Sequence, residues 1–475
     1  MTAIAGAPSA RRIHWKTINW SIVEYQVRRL QLRIAKAIKI GRYCKAKALQ
    51  WILTHSFYAK LLAVKRVTQN SGRRTPGTDG IIWKTDKQKM EAVYSLKRRG
   101  YHALPLRRIY IPKKNGKLRP LGIPTKMDRA QQALHLLGLQ PIAEILADEN
   151  SYGFRPKRST HDAIAQCFIL LAKKTSAQWV LEGDIKACFD KISHEWLMKH
   201  TMMDKTVLKQ WLQAGYIDEE VFKATEEGTP QGGLASPTLA NMVLDGLEKA
   251  IQNVGGQIHF VRYADDFICT ANSKETLELK VQPVIINFLS QRGLELSIEK
   301  TKITHISEGF DFLGFNIRKY GNKLLIKPSD SSVKKISDNL RETIRKLGNT
   351  STVRLIGSLN SKIRGWANYY RGSVAKKIFG SIDKVIFETI WRMLKRKHSN
   401  KSATWIRAKY FTRIGTRDWC FFCKVNTKKG KKLYSLARMT QTKIWRHIKI
   451  RRKATPFDVE FADYFTWREG RLKIE

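Results

Sequence analysis

The hydrophobic period of this chain changes at Pro328, and that change limits the folds open to it. Before Pro328, runs that alternate like strands are interleaved with runs whose apolar residues fall three or four apart; after it, 333–347, 353–370 and 378–397 carry helical spacing alone. An α+β unit followed by an all-helical unit is expected. The 475 residues leave room for two or three cores. Hydrophobic residues at 43%, including aromatics at 10%, are enough to fill them.

Upstream, Val23, Val27, Leu30, Ile34, Ala37 and Ile38 repeat at helical spacing with Lys and Arg on the other face, so 20–65 reads as basic amphipathic helices. Gly72, Pro76, Gly77 and Gly80 then break the pattern into a loop. The runs 109–111 and 118–123 flank Asn115-Gly116, a pair suited to the positive φ angles of a tight hairpin. Helical spacing returns over 128–147, and again to about Ala172 from Thr160, which is placed as an N-cap. A strand over 179–185 ends in acids. The runs 257–263 and 267–270 are separated by Ala264-Asp265-Asp266, which predicts strand, tight turn, strand.

Charge narrows the partner. Lys and Arg number 88 against 40 Asp and Glu, a net +48 spread along the whole chain. Such self-repulsion favours a polyanionic partner, and nucleic acid is the natural one. No apolar run approaches the roughly 18 residues that span a bilayer, so no membrane partner is expected. Six cysteines in a chain this long make no disulfide framework, which fits a reducing compartment. Cys420 and Cys423 have zinc-ligand spacing, but no second pair of suitably spaced Cys or His follows, and zinc is not expected. The N-terminus lacks a secretory pattern, although its Ala, Ser and Arg content is compatible with an organelle transit peptide. The reading is cytoplasmic.

Three acids stand where strands should be buried: Asp184, Asp265 and Asp266. Carboxylates there are costly unless a cation offsets them. Nucleotide transfer needs two Mg²⁺ ions about 3.5–4 Å apart, one to activate a 3′-hydroxyl and one to hold the triphosphate. Asp184 and Asp265 are the first candidates as catalytic ligands. Successive strand residues face opposite ways, so Asp266 joins them only if the turn redirects it. A single Asp at a strand end is more often a cap or turn former, and only the combination is informative.

The segment 260–267, FVRYADDF, resembles the YxDD box of reverse transcriptases, and 182–192, EGDIKACFDKI, resembles their first aspartate motif. Between them, GTPQGGLASPTLANM is similar to the motif that group II intron enzymes set under the template and incoming nucleotide. Upstream, RRIYIPKKNGKLRPLGIPTKMDRAQQAL and NSYGFRP resemble fingers motifs, and downstream GFDFLGF resembles the last palm motif. On these motifs, in this order and spacing, the chain resembles the group II intron-encoded reverse transcriptase/maturases from about Ile13 to its C-terminus. Ala187 and Lys191 depart from that pattern, standing where the family more often has Gly and Asn.

The resemblance implies an α+β, right-hand polymerase: an N-terminal basic helical extension and loop (1–80), fingers and a palm with a small antiparallel sheet (81–328), an all-helical thumb or maturase domain (329–412), and a basic C-terminal DNA-binding segment (413–475) without an endonuclease domain. It implies an RNA-directed DNA polymerase of the bacterial cytoplasm. Such an enzyme extends a DNA primer with dNTPs on an RNA template, binds its intron RNA to assist splicing and mobility, and engages target DNA. Asp184, Asp265 and Asp266 would hold the two Mg²⁺ ions. Phe189 would set a ring beneath the sugar and clash with a 2′-hydroxyl, where a core Phe is the ordinary alternative. Arg107, Lys113 and Arg119 would reach the triphosphate. Gln231 with Gly232 and Gly233 would let backbone approach the base pair. Lys300 resembles the lysine proposed to protonate the leaving pyrophosphate.

Residues 364–371, RGWANYYR, resemble the thumb, and Arg364, Lys376, Lys377, Lys395, Arg396 and Lys397 are candidate phosphate contacts, with a solvated face as the ordinary alternative. A splicing factor with an idle polymerase site is a rival reading that the intact acids oppose. A free-standing bacterial reverse transcriptase is another, less consistent with the thumb and tail.

Overall fold

In the computed structural model, the apolar spacing near the N-terminus becomes three helices: α1 (Trp20–Lys39), α2 (Tyr43–His55) and α3 (Phe57–Gln69). The structure describes residues 14–112, 116, 118–218, 221–229, 232–427 and 430–473. On α1, Val23, Val27, Ile34, Ala37 and Ile38 are buried and Leu30 packs partly buried against them. With α4 (Asp86–Ser95) they enclose one face of a long central helix, α5 (Lys126–Leu146), whose Ala130, Ala133, Leu134 and Leu137 complete that core.

Between α4 and α5 lies the expected hairpin, β1 (Leu106–Pro112) and β2 (Leu118–Ile123), in register from Arg107↔Ile123 to Pro112↔Leu118. Asn115 of its turn lies outside the described residues. Helix α6 (Thr160–Leu171) starts one residue before the boundary read from sequence: Thr160 is its first residue rather than its cap. Asp162 draws the backbone N–H and hydroxyl of Ser159 to its Oδ2, closing the turn one position earlier. There follow β3 (Trp179–Lys186), α7 (Cys188–Lys191), α8 (His194–His200), α9 (Lys205–Leu212), β4 (Tyr216–Asp218) and β5 (Val221–Lys223). Next come α10 (Ser236–Leu244), α11 (Leu247–Gln252), β6 (His259–Tyr263), β7 (Asp266–Ala271), α12 (Gln282–Ser290), β8 (Glu295–Leu296) and β9 (Lys302–His305). The hairpin extends into a sheet of order β2-β1-β4-β5, and the candidate acids ride on a second sheet of order β6-β7-β3-β8.

The chain divides into two compact units: one takes the described residues up to 163, 181–302 and from 450 onward, the other 164–180 and 303–449. In the second, β10 (Phe310–Phe312), β11 (Phe315–Tyr320) and β12 (Lys323–Pro328) form an antiparallel meander. The change of period at Pro328 is real: α13 (Asp330–Leu347), α14 (Thr352–Tyr370), α15 (Lys376–Lys397) and α16 (Ala403–Tyr410) follow in succession. Helices do not continue alone to the end, however. A second meander, β13 (Phe411–Ile414), β14 (Arg417–Thr427) and β15 (Gly430–Ser435), is tied to α14 by buried Asn360, whose amide donates to the Ser435 carbonyl at 2.9 Å and accepts from Ala437 N–H at 2.7 Å.

The stretch 413–475 is thus shared between the units. Its last part, ending in α17 (Ala462–Lys473), belongs with the first, where Arg468 pairs with the fully buried Asp162 at 2.7 Å and Ile450 N–H donates to the same carboxylate. No helix among the described residues is long and apolar enough to cross a membrane.

Candidate active site

The pairing Tyr263↔Asp266 leaves Ala264 and Asp265 as a two-residue turn between β6 and β7. Tight turns of this kind need positive φ, and Ala264 takes +59°, a conformation that costs a residue with a Cβ about 1 kcal/mol or more. Two glycines admit the turn. A Cβ on Gly153 would lie 2.3 Å from the Ala264 nitrogen, and a Cβ on Gly183 would lie 2.2 Å from the Phe267 ring. Gly183 directly precedes Asp184, so β3 and β7 approach closely where the acids are.

The acids converge. Asp184, Asp265 and Asp266 lie within electrostatic reach of one another. Asp184 and Asp265 are the first candidates from sequence, and Asp266, the first residue of β7, lies close enough to feel both. Asp266 begins β7 and keeps some solvent exposure, yet the surrounding protein first, then the charges of Asp265 and Asp184, push its pKa up to about 7. Burial also raises Asp265, with Asp184 adding to the rise and Arg119 and Lys300 opposing it. Lys300 Nζ lies 2.6 Å from Asp184 Oδ2, and that hydrogen bond raises the lysine's pKa. Two cations, Lys300 and the more distant Arg119, face three acids, which leaves an excess of acidic groups, the electrostatic demand of a cation site.

Among the described residues no group of three or more His, Cys, Asp or Glu side chains is placed to hold a metal ion by itself. An open site fits Mg²⁺, which usually binds through one or two carboxylates with water and substrate phosphate completing the shell. The donors are hard oxygens and their charge is in excess, so the residues suit a divalent ion.

The other candidates divide. Arg119 is the hairpin residue whose charge reaches Asp265. Arg107, half-buried on β1, has a buried Nε without a hydrogen-bond partner, and its charge is felt by Arg129. Lys113 and Gln231 lie outside the described residues. Phe189 sits on α7 directly beyond β3, its ring edge-on to the exposed Phe154 at 6.2 Å. The 228–229 loop is held against it, with Thr229 N–H donating to the Phe189 carbonyl. Ala187 takes φ +46°, a conformation in which Gly would be unstrained.

Gly232 and Gly233 face protein neighbours: a Cβ on Gly232 would meet the Gly122 carbonyl at 2.5 Å, and one on Gly233 would meet Ser236 Oγ at 2.7 Å and Gln132 at 3.0 Å. Their small size serves packing against β2 and α5.

In the second unit, Arg364, Lys377, Lys395 and Arg396 are exposed on helix faces. Lys376 and Lys397 are exposed too, but their ammoniums are engaged: Lys376 donates to the Thr440 and Thr442 carbonyls at 2.7 and 2.8 Å, and Lys397 to the Gly348 carbonyl at 2.9 Å. Gly153, Gly183, Asn241 and Arg262 fall within the quoted motifs, but the sequence alone assigned them no role. The available signal was an Arg inside an otherwise apolar strand, since a buried charge demands partners.

Three family models match in succession: the N-terminal domain of reverse transcriptase over 15–96, reverse transcriptase (RNA-dependent DNA polymerase) over 111–317, and the group II intron maturase-specific domain over 333–411. Protein YkfC of Escherichia coli is 36% identical over 307 residues, covering 54% of this chain and 80% of that protein. The chain belongs to the group II intron reverse transcriptase/maturase family. The group II intron-encoded protein LtrA of Lactococcus lactis is 29% identical, covering 65% of this chain and 68% of its own length. An uncharacterised 91 kDa protein in the cob intron of Schizosaccharomyces pombe is 31% identical over 70% of this chain, which spans about half, 52%, of that protein. As a member of this family the chain is an RNA-directed DNA polymerase with a role in intron splicing, and its mixed fold with small antiparallel sheets is that of a right-hand polymerase. Family membership brings divalent metal dependence and binding to intron RNA and other nucleic acids.

Proposed function

We propose that this reverse transcriptase extends the 3′-hydroxyl of a DNA primer with dNTPs on an RNA template, using two Mg²⁺ ions held by Asp184, Asp265 and Asp266. The observation that carries this reading is the meeting of carboxylates from β3 and from the β6–β7 turn, with Asp266 raised to about 7 by burial and by its two like-charged neighbours. When bound, the ions supply activation of the attacking hydroxyl and neutralisation of the triphosphate. Arg119 and Arg107 add positive charge for the phosphates from the fingers hairpin. Lys300 holds an ammonium proton beside the acids, available to the leaving pyrophosphate. Zinc is not part of this reading: the Cys420 and Cys423 thiols donate to backbone carbonyls of Arg417 and Tyr434.

Intron RNA is proposed to lie against exposed charge such as Arg364, Lys377, Lys395 and Arg396, contacts that position a phosphate backbone without reading sequence. Target DNA is assigned to the basic C-terminal stretch around Arg451–Lys453, in keeping with a role in intron mobility.

Phe189 is assigned as the sugar gate, its main chain being held by the Thr229 N–H hydrogen bond to its carbonyl. In primer extension on an RNA template, Phe189→Ala is expected to keep dNTP incorporation while preference for dNTP over NTP falls roughly 10- to 200-fold, the range a steric pocket commands. An unchanged preference would move the gate elsewhere.

A further inference from the structure

Behind the turn runs a ring of contacts, polar through Arg262 and Asn241 and closed by tight packing at Gly153, that the nucleotidyl transfer chemistry does not itself call for. Arg262 on β6 is 0% exposed, and burying a guanidinium is unfavourable unless it is paired; its Nε finds no partner, but both Nη atoms do. Its Nη2 donates to Asp245 at 2.6 Å. Its Nη1 donates to Asn241 Oδ1 at 3.1 Å and, at 3.4 Å, to the carbonyl of Ala264 in the turn. Asn241, itself buried, passes the connection on: its amide donates to the Gly153 carbonyl at 2.8 Å. Gly153 lies against the nitrogen of Ala264, so close that a Cβ there would stand 2.3 Å away. The ring therefore leaves Arg262, crosses α10, and returns to the turn.

The main chain reinforces it. Arg262 N–H donates to the Asn150 carbonyl and Tyr152 N–H to the Arg262 carbonyl, both at 2.9 Å, so the segment carrying Gly153 runs alongside β6.

A buried ion pair is a poor source of stability, because apolar residues of equal volume do as well. What this one provides is geometry. Ala264 holds a positive φ that its own side chain disfavours, and a residue in such a conformation persists only when its surroundings over-determine it. Ala264 is held by a hydrogen bond at its carbonyl and by close packing of Gly153 at its nitrogen. We propose that Arg262, Asn241 and Gly153, with Asp245 as the counter-charge, are positioning residues that fix the Ala264-Asp265 turn and so set the affinity of the acidic site for divalent ions. The proposal rests on the reading of Asp184, Asp265 and Asp266 as metal ligands.

The test uses the full chain and three readouts: Mn²⁺ affinity without substrate, from the electron paramagnetic resonance of free Mn²⁺; the Mg²⁺ concentration giving half-maximal primer extension; and Tm. Asn241→Ala cuts the ring at one side chain without leaving a charge unpaired. Arg262→Lys keeps a cation beside Asp245 but cannot bridge Asp245, Asn241 and Ala264 together. Leu53→Ala, in the buried core of the N-terminal helices, is the control for lost stability alone.

Both ring variants are expected to weaken Mn²⁺ binding and raise the Mg²⁺ requirement about tenfold or more, as loss of the groups behind metal ligands does elsewhere. Leu53→Ala should lower Tm and move neither. Wild-type Mn²⁺ affinity in Asn241→Ala and Arg262→Lys, with Tm lowered as in Leu53→Ala, overturns the proposal. Asp265→Asn separates the two failures. If it loses Mn²⁺ binding and extension while the ring variants keep both, only the positioning role falls; if it keeps both, the metal-ligand reading falls and takes this proposal with it.

Discussion

Asp265→Asn is expected to lower primer extension on the order of a thousandfold, the scale seen when one preorganised electrostatic contact to a transition state is removed. An amide matches the carboxylate in shape but carries no charge, so it is a weak ligand for Mg²⁺ and cannot offset its charge. Intron RNA binding should survive, because the +48 charge that attracts a polyanion is spread over the chain rather than gathered at the turn. Stability should survive too, and Tm of the metal-free protein should rise: burial and the nearby Asp184 raise the Asp265 pKa, and Asp265 in turn raises Asp266, so the substitution removes a repulsion. Loss of activity with equal or higher Tm marks a functional group. A fall in both would instead point to a folding role.

Gly153→Ala carries the second large effect. Its new methyl would sit 2.3 Å from the Ala264 nitrogen, 2.9 Å from the Tyr263 carbonyl carbon and 3.0 Å from the Ala264 Cα, all of them main-chain atoms that no rotamer change moves aside. Overpacking of this kind costs about 1–3 kcal/mol, and the turn can relieve it only by shifting. Displacement of reacting groups by about 1 Å costs on the order of a hundredfold in rate. Primer extension should therefore fall about a hundredfold, with Tm lowered by several degrees for a domain of this size. A Gly153→Ala enzyme with wild-type extension would mean that the turn is not held against this segment.

Much of the site was legible because strand period and turn chemistry are local. The alternation around 257–270 predicts two strands with the acids between them, and β6 and β7 meet at Tyr263↔Asp266. The apolar stripe of Val23, Val27, Ile34 and Ile38 likewise fixes the buried face of α1. What escaped depends on partners remote in sequence. Lys300 and Asp184 are 116 residues apart, Asn241 and Gly153 are 88 apart, and neither pairing leaves a trace in local pattern.

Small residues and surface charges carry several readings at once. Gly232 reads as room for a base pair, and its φ of +125° and its neighbour, the Gly122 carbonyl, already require a glycine for packing. Lys376 and Lys397 read as phosphate contacts because charge on a helix face looks alike whether it meets solvent, nucleic acid or a carbonyl. Their ammoniums in fact satisfy carbonyls at the 440–442 turn and at Gly348. The β13–β15 meander was missed because β14, RDWCFFCKVNT, is not alternating and is broken by Trp419 at φ +57°, so its period resembles neither template.

The central claim is that acids from two remote stretches of chain hold divalent ions together, and anomalous diffraction tests it most directly. Crystals of the full chain with an RNA template, a DNA primer and an unreactive dNTP analogue would be soaked in Mn²⁺ and measured at the manganese edge. Two peaks about 3.5–4 Å apart, within coordination distance of Asp184 and of Asp265 or Asp266, are the expected result. Peaks located elsewhere, with Asp184 still paired to Lys300 and no ion shared with the turn, would contradict it.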